Sequence, residues 1–155
     1  MPKSKSRTPD AIALLKQDHA SVKKALKEFE KMDHEDTVAM QELVTAVCGE
    51  LKVHTTIEEE IFYPAVRAAI EDEDLMNEAQ VEHQSAKELI AQLENMEPSD
   101  PLYAATFTVL GEYVQHHVKE EESEMFPQVK KAEIDLKALG EEMMARKESL
   151  MAAAV

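Results

Sequence analysis

Apolar residues recur at three- and four-residue intervals along five stretches of the chain, parted by short polar breaks. In the first stretch Leu15, Val22, Leu26 and Phe29 share one helical face, and His19 sits in the same line. It opens at Thr8-Pro9-Asp10, read as an N-cap followed by Pro at the first helical position, and fades at Asp33-His34-Glu35-Asp36. A second helix is expected from about Thr37 to Ile70, with Val44, Val47, Leu51, His54, Glu58, Ile61 and Ala65 along one face. Glu71 to Asp74 reads as a turn and cap. A third helix, about Asp74 to Met96, turns Ala79, His83, Ala86, Ile90 and Leu93 inward. After the break Pro98-Ser99-Asp100-Pro101, a fourth helix runs to about Lys131 with Leu110, Val114, His117, Glu121 and Met125 on its face. Pro64 and Pro127 each remove a backbone donor and predict a kink or an end there. A fifth helix, about Ile134 to Met151, carries Leu136, Leu139, Met143 and Leu150. Long helices with short connections pack most simply as an all-α, up-down-up-down four-helix bundle. The organisation expected is a disordered tail over 1–9, the bundle over 10–131 and an additional C-terminal helix over 132–155.

Composition agrees with helices: there are 3 Gly in 155 residues, few breakers for one domain with a sizeable core. The net charge of -15 repels nucleic-acid phosphate and anionic membrane surfaces, so neither is expected as a partner. No apolar run approaches the roughly 20 residues that span a bilayer. The basic start MPKSKSRTPD has no apolar segment behind it and does not read as a signal peptide. Cys48 is the only cysteine; among Val44, Val47 and Leu51 it reads as a small core residue. These features predict a cytoplasmic protein; the fifth helix could fold back over the bundle or mediate a dimer, so a monomer or a homodimer is expected.

Candidate chemistry comes from a repeat. His54, Glu58 and Pro64 recur as His117, Glu121 and Pro127 at an offset of 63, and His19 recurs as His83 at 64. An acid precedes the first His of each half, Asp18 and Glu82. Each half reads as a helical hairpin, and two such hairpins about an approximate two-fold axis would bring four inward faces together. Residues four apart share a helix face, so His54 projects with Glu58 and His117 with Glu121. A single His on an apolar face is ordinarily a satisfied core residue, and Glu is common in so acidic a chain. Two inward Glu and four inward His, with no Lys or Arg on those stripes to pair with both Glu, are best neutralised by cations. Imidazole and carboxylate without thiolate suit iron, zinc or manganese, and six ligands in a two-fold array favour two ions, with open positions for a small ligand. The Glu-x-x-His motif of ferritin-like bundles is missing. Tyr63 and Tyr113 flank the two motifs; Tyr113, four residues before His117, could reach the metal pocket, but ordinary core packing is the reading preferred for it. His116 is rotated to the flank of its helix, His34 sits in an acidic turn as a solvated residue, and Glu60 and Glu122 point off the motif face.

His19, then HTTIE from His54, then His83, then HVKEE from His117, resembles the hemerythrin-like (HHE cation-binding) domain, over about residues 10 to 130. The segment DLKALGEEMMARKESL is similar to the tail helix of bacterial members. The resemblance implies a four-helix bundle around two iron ions in an oxo- or hydroxo-bridged centre. His19, His54, His83 and His117 would be terminal ligands, and Glu58 and Glu121 the bridging carboxylates. Oxygen-carrying members use five His, including a His-x3-His pair on the third helix, where this chain has Lys87 four residues after His83. They also use Asp one residue beyond the position of Glu121. The pattern is closer to bacterial members linked to peroxide, nitric oxide or iron handling. The function expected is reaction with a peroxide or small diatomic ligand, catalase-like peroxide decomposition among them; binding, sensing or storage without turnover is the alternative.

Overall fold

The computed structural model describes residues 8–153. Most of the expected N-terminal tail lies outside the described residues. The elements are α1 (Ala11–Lys31), α2 (Thr37–Ile57), α3 (Tyr63–Ala69), α4 (Glu73–Glu94), α5 (Tyr103–Glu120), α6 (Phe126–Lys131) and α7 (Leu136–Ala153). Two π-helical turns, Glu58–Phe62 and Glu121–Met125, join α2 to α3 and α5 to α6 without a break. The result is an all-helical, hemerythrin-like bundle of four long rods, with α7 packed across α1 and α2.

Aspartates start the helices. The Asp10, Asp36 and Asp72 side chains accept from the backbone N–H groups of Ala13, Ala39 and Leu75, and Asp135 accepts from Ala138. Each such cap is worth about 1 kcal/mol. The cap of α1 is thus Asp10, and the Thr8-Pro9 reading placed it two residues early. His34 is not simply solvated: its ring bonds the Phe29 carbonyl at 2.8 Å and covers the end of α1.

Of the two outcomes expected at the prolines, an end is not seen. The rods neither stop at Pro64 and Pro127 nor lie there in plain α geometry. A proline lacks the N–H that would bond the carbonyl four residues back, and its ring collides with that carbonyl. The preceding turn widens instead: Tyr63 N–H donates to Glu58 O, and Phe126 N–H to Glu121 O, five residues back in each case. The extra residue shifts the inward face. Phe62, Tyr63 and Val66 are buried, where an unbroken α-helix would bury Ile61 and Ala65; both of these remain partly exposed. The second half does the same with Met125, Phe126 and Val129.

The interior has two apolar clusters. One gathers Leu14, Leu15, Phe62, Val66, Met76, Phe126, Val129 and Met143. The other gathers Val22, Phe29, Val44, Leu51, Ile90, Phe107 and Leu110. His19, His54, Glu58, His83 and Glu121 are buried between them, so the polar residues form a layer inside the bundle rather than a surface patch. Cys48 is buried, as expected, and burial pushes its thiol up to about 11, leaving it unreactive.

Candidate metal centre

The six residues singled out by the repeat converge. His19 comes from the middle of α1, His54 from the end of α2, His83 from the middle of α4 and His117 from near the end of α5; Glu58 and Glu121 each open a π-turn. One ligand atom each from His19, His54, Glu58 and Glu121 falls within 4.8 Å of the others, and the same holds for Glu58, His83 and His117. Glu58 spans the two groups: its Oε2 is 3.4 Å from His54 Nε2 and its Oε1 is 3.0 Å from His83 Nε2. Glu121 does the same in reverse, with Oε1 3.0 Å from His19 Nε2 and Oε2 3.5 Å from His117 Nε2. Each half therefore lends its carboxylate to both clusters.

All four imidazoles are held from behind. His54 Nδ1 meets Asp18 at 2.9 Å and His117 Nδ1 meets Glu82 at 2.6 Å; His83 Nδ1 meets Glu59 at 2.8 Å and His19 Nδ1 meets Glu122 at 2.7 Å. An ionised carboxylate only accepts, so Nδ1 carries the hydrogen in every case. The Nε2 lone pair is then available toward the centre, the arrangement that orients metal-bound histidines. Asp18 and Glu82 stand out in the sequence because each precedes a motif His. Glu59 and Glu122 were missed as members of glutamate runs, and Glu122 is corrected from an outward residue to the partner of His19. Their signal is the same 63-residue offset.

Tyr63 was also undervalued. It is buried, and its hydroxyl lies 2.5 Å from Glu121 Oε2, 3.2 Å from Glu58 Oε1, 3.1 Å from His117 Nε2 and 3.3 Å from His83 Nε2. Tyr113 is neither a core residue nor in reach of the carboxylates: it is 49% exposed and only lines the cavity beside the cluster. The 63-residue partner of Tyr63 is Phe126, whose ring stacks parallel to His19 at 6.2 Å. One hydroxyl therefore breaks the two-fold symmetry, and it stands on the His83–His117 side. His116 is exposed on the flank, as its phase predicts.

The charges are tightly interlocked. Burial opposes a charge on His54, but Glu58 beside it and the bond to Asp18 more than offset this and raise the imidazole to about 10. His117 is likewise raised against its burial by Glu121 and Glu82. Glu121 is held well below the usual carboxylate range, in spite of burial, by His117 and His19. Burial and the two carboxylates push the Tyr63 phenol up.

The donor set fits metal cations. His19 Nε2, Glu58 Oε2 and Glu121 Oε1 are buried without a hydrogen-bond partner. His19 Nε2 and Glu121 Oε1 are 3.0 Å apart, yet their angles do not make a hydrogen bond. Buried polar atoms left unpaired within ligand distance of one another call for a further partner, and a cation can supply it. Nitrogen and oxygen donors without thiolate suit iron, manganese or zinc.

Comparison with known proteins leads to the same place. A crystallised hemerythrin HHE cation binding domain-containing protein from Mycobacterium kansasii superposes with a TM-score of 0.81 at 27% identity, over 94% of this chain and 90% of that one. A curated Nostoc protein named DNA nickase is 28% identical over 117 residues, 76% of this chain but 32% of that protein, so the chain spans about a third of its length. The family model of the hemerythrin HHE cation binding domain matches residues 10–129, from the cap of α1 to the last buried valine of α6. The chain belongs to that family, and α7 extends beyond the part the family model covers.

Proposed function

We propose that the protein holds two iron ions and uses them to react with hydrogen peroxide, oxygen or nitric oxide, with catalase-like decomposition of peroxide as the leading activity. The observation that carries this reading is the set of three buried, unpartnered ligand atoms at the meeting point of the two His–Glu motifs. His19 and His54 would hold one ion and His83 and His117 the other, all through Nε2, with Glu58 and Glu121 shared between them. A pair of irons supplies redox capacity at two adjacent sites, enough for the two-electron steps of peroxide chemistry. In decomposition, two peroxides yield two waters and one oxygen, so no organic reductant is needed.

The chain's own residues shape what can react. Tyr63 adds an oxygen donor on the His83–His117 side, whereas Phe126 offers only a ring on the other. An ion held by His19 and His54 would have fewer oxygen donors from the chain beside it than one held by His83 and His117, leaving more room there for an exogenous ligand. A cavity of about 40 Å³ lies against the four histidines, walled by Val22, Leu51, Ala86, Val114 and Val118. That is room for a molecule of two or three heavy atoms. DNA cleavage is not proposed for this chain, because a net charge of -15 repels a polyanion.

The test is to load the protein anaerobically with ferrous iron and follow peroxide and oxygen. Peroxide should disappear faster than with the same concentration of free iron, and exposure to oxygen should give a ferric pair quickly. A stable oxygen adduct that releases its gas under vacuum, with no loss of peroxide, would leave binding without turnover as the function.

A further inference from the structure

Helix α7 lies beyond the matched domain, yet it places a cation behind one of the histidines. Lys147 Nζ donates to Asp18 Oδ1 at 2.6 Å, while Asp18 Oδ2 meets His54 Nδ1 at 2.9 Å. One carboxylate thus joins the C-terminal helix to the candidate metal centre. Two further contacts fix the register of α7. Gly140 lies so close to the start of α1 that a Cβ there would sit 2.4 Å from the Pro9 carbonyl oxygen. Arg146 Nε and Nη2 reach the two oxygens of Glu60 at 2.8 and 3.3 Å. From Gly140 to Lys147 is seven residues, as is the step from Ala11 to Asp18. The two helices therefore run in the same direction at the same rise, about 10 Å between these contacts. Met143, fully buried, packs between them.

The other half offers a counterpart built from different material. Lys87 Nζ donates to Glu59 Oε1 at 2.7 Å, and Glu59 Oε2 meets His83 Nδ1 at 2.8 Å. The Lys87 side chain, 45% exposed, reaches along the surface to this carboxylate. Among the described residues, Glu122 and Glu82, which hold His19 and His117, show no such lysine. Each proposed metal position thus has one histidine with a lysine-backed carboxylate and one without.

We infer that Lys147 is a positioning residue for the metal centre: by fixing Asp18 it fixes the ring of His54, and so makes α7 a working part of the site rather than a cover. The inference rests on the reading of the six residues as metal ligands. Without Lys147, Asp18 keeps His54 as a partner but can swing on its own side chain, and the imidazole loses its single orientation. A free carboxylate oxygen also concentrates the acceptor charge on the His54 bond. The Nδ1–H hydrogen bond should change in strength and geometry, while that of His117, held by Glu82, should not.

The experiment uses the full chain loaded with zinc, which gives sharp nuclear magnetic resonance signals and needs no redox activity. Histidine-labelled wild type is compared with Lys147→Met, Lys147→Arg and, as a control on the exposed side of α7, Lys137→Met. In Lys147→Met the His54 Nδ1–H resonance should move, the His117 resonance should stay, and one zinc equivalent should pass to a chelator about three- to tenfold faster. That is less than the 10- to 100-fold typical for a partner bonded directly to the ligand. Lys147→Arg should restore both readouts. An unmoved His54 resonance with normal zinc release, or equal changes in Lys137→Met, would overturn the positioning role while leaving the metal site intact. Failure of the wild type to take up zinc would remove the metal reading and this inference with it.

Discussion

At the residue scale, the site is a set of carboxylates with different duties. Glu58 and Glu121 face the centre, Glu59 and Glu122 hold imidazoles from behind, and Glu60 pairs with Arg146 at the surface. Alanine at Glu58 or Glu121 should reduce bound metal to one ion or none. Glu122→Ala should weaken metal binding by about 10- to 100-fold through His19, whereas Glu60→Ala should leave it unchanged. Competition with a chromogenic chelator ranks the variants, and equal losses at Glu60 and Glu122 would contradict the assignment. Tyr63 permits a sharper test. In Tyr63→Phe the two halves become alike at this position, with Phe at both 63 and 126. The iron-loaded variant should keep two ions but lose any visible absorption that arises from a phenolate on ferric iron. An unchanged spectrum would place the Tyr63 oxygen outside the metal shell.

At the element scale, the π-turns decide which residues face inward. Phe62 is fully buried and Ile61 only partly so. Phe62→Ala should cost about 3–5 kcal/mol, and Ile61→Ala clearly less. Denaturant unfolding of the metal-loaded variants measures both; the reverse order would mean that the α-helical register continues past Glu58. The same turns explain which parts of the site were legible in the sequence. His19, His54, His83, His117, Glu58 and Glu121 lie before or at the start of the widened turns, where the 3.6-residue period still holds, and they were found. Tyr63 lies five residues past Glu58, a spacing that points inward only once a turn is widened, and it was passed over. Glu59 and Glu122 were hidden because a side chain beside a ligand looks solvent-facing on a single helix; only a neighbouring helix carrying His83 or His19 gives it a partner. The repeat contained the needed information, since 59 and 122, 63 and 126, and 66 and 129 all match at the 63-residue offset in acid, aromatic and valine.

At the scale of the whole molecule, a charged layer lies between two apolar clusters, and its stability depends on what neutralises it. Without metal, His54 is raised to about 10 and His117 is raised as well, each by the carboxylates around it. Unfolded imidazoles release their protons near 6.5, so the stability these groups contribute is complete below about pH 6.5 and is lost as pH rises through about 10. On the proposed assignment metal would take the place of those Nε2 protons, so its affinity should fall as pH falls. The melting temperature of the metal-free protein should therefore decline from pH 6.5 to 10, while that of the protein in excess metal should decline toward acid. Parallel curves would show that metal and protons do not compete for the same nitrogens. No described helix is long and apolar enough to cross a membrane, and the additional helix α7 folds back on α1 and α2. The central claim is that the two halves of one repeated sequence build one centre for two ions. Anaerobic titration with ferrous iron, with bound metal counted per chain after removal of excess, tests it most directly. Two equivalents are expected; a protein that saturates at one, or retains none, would contradict the account.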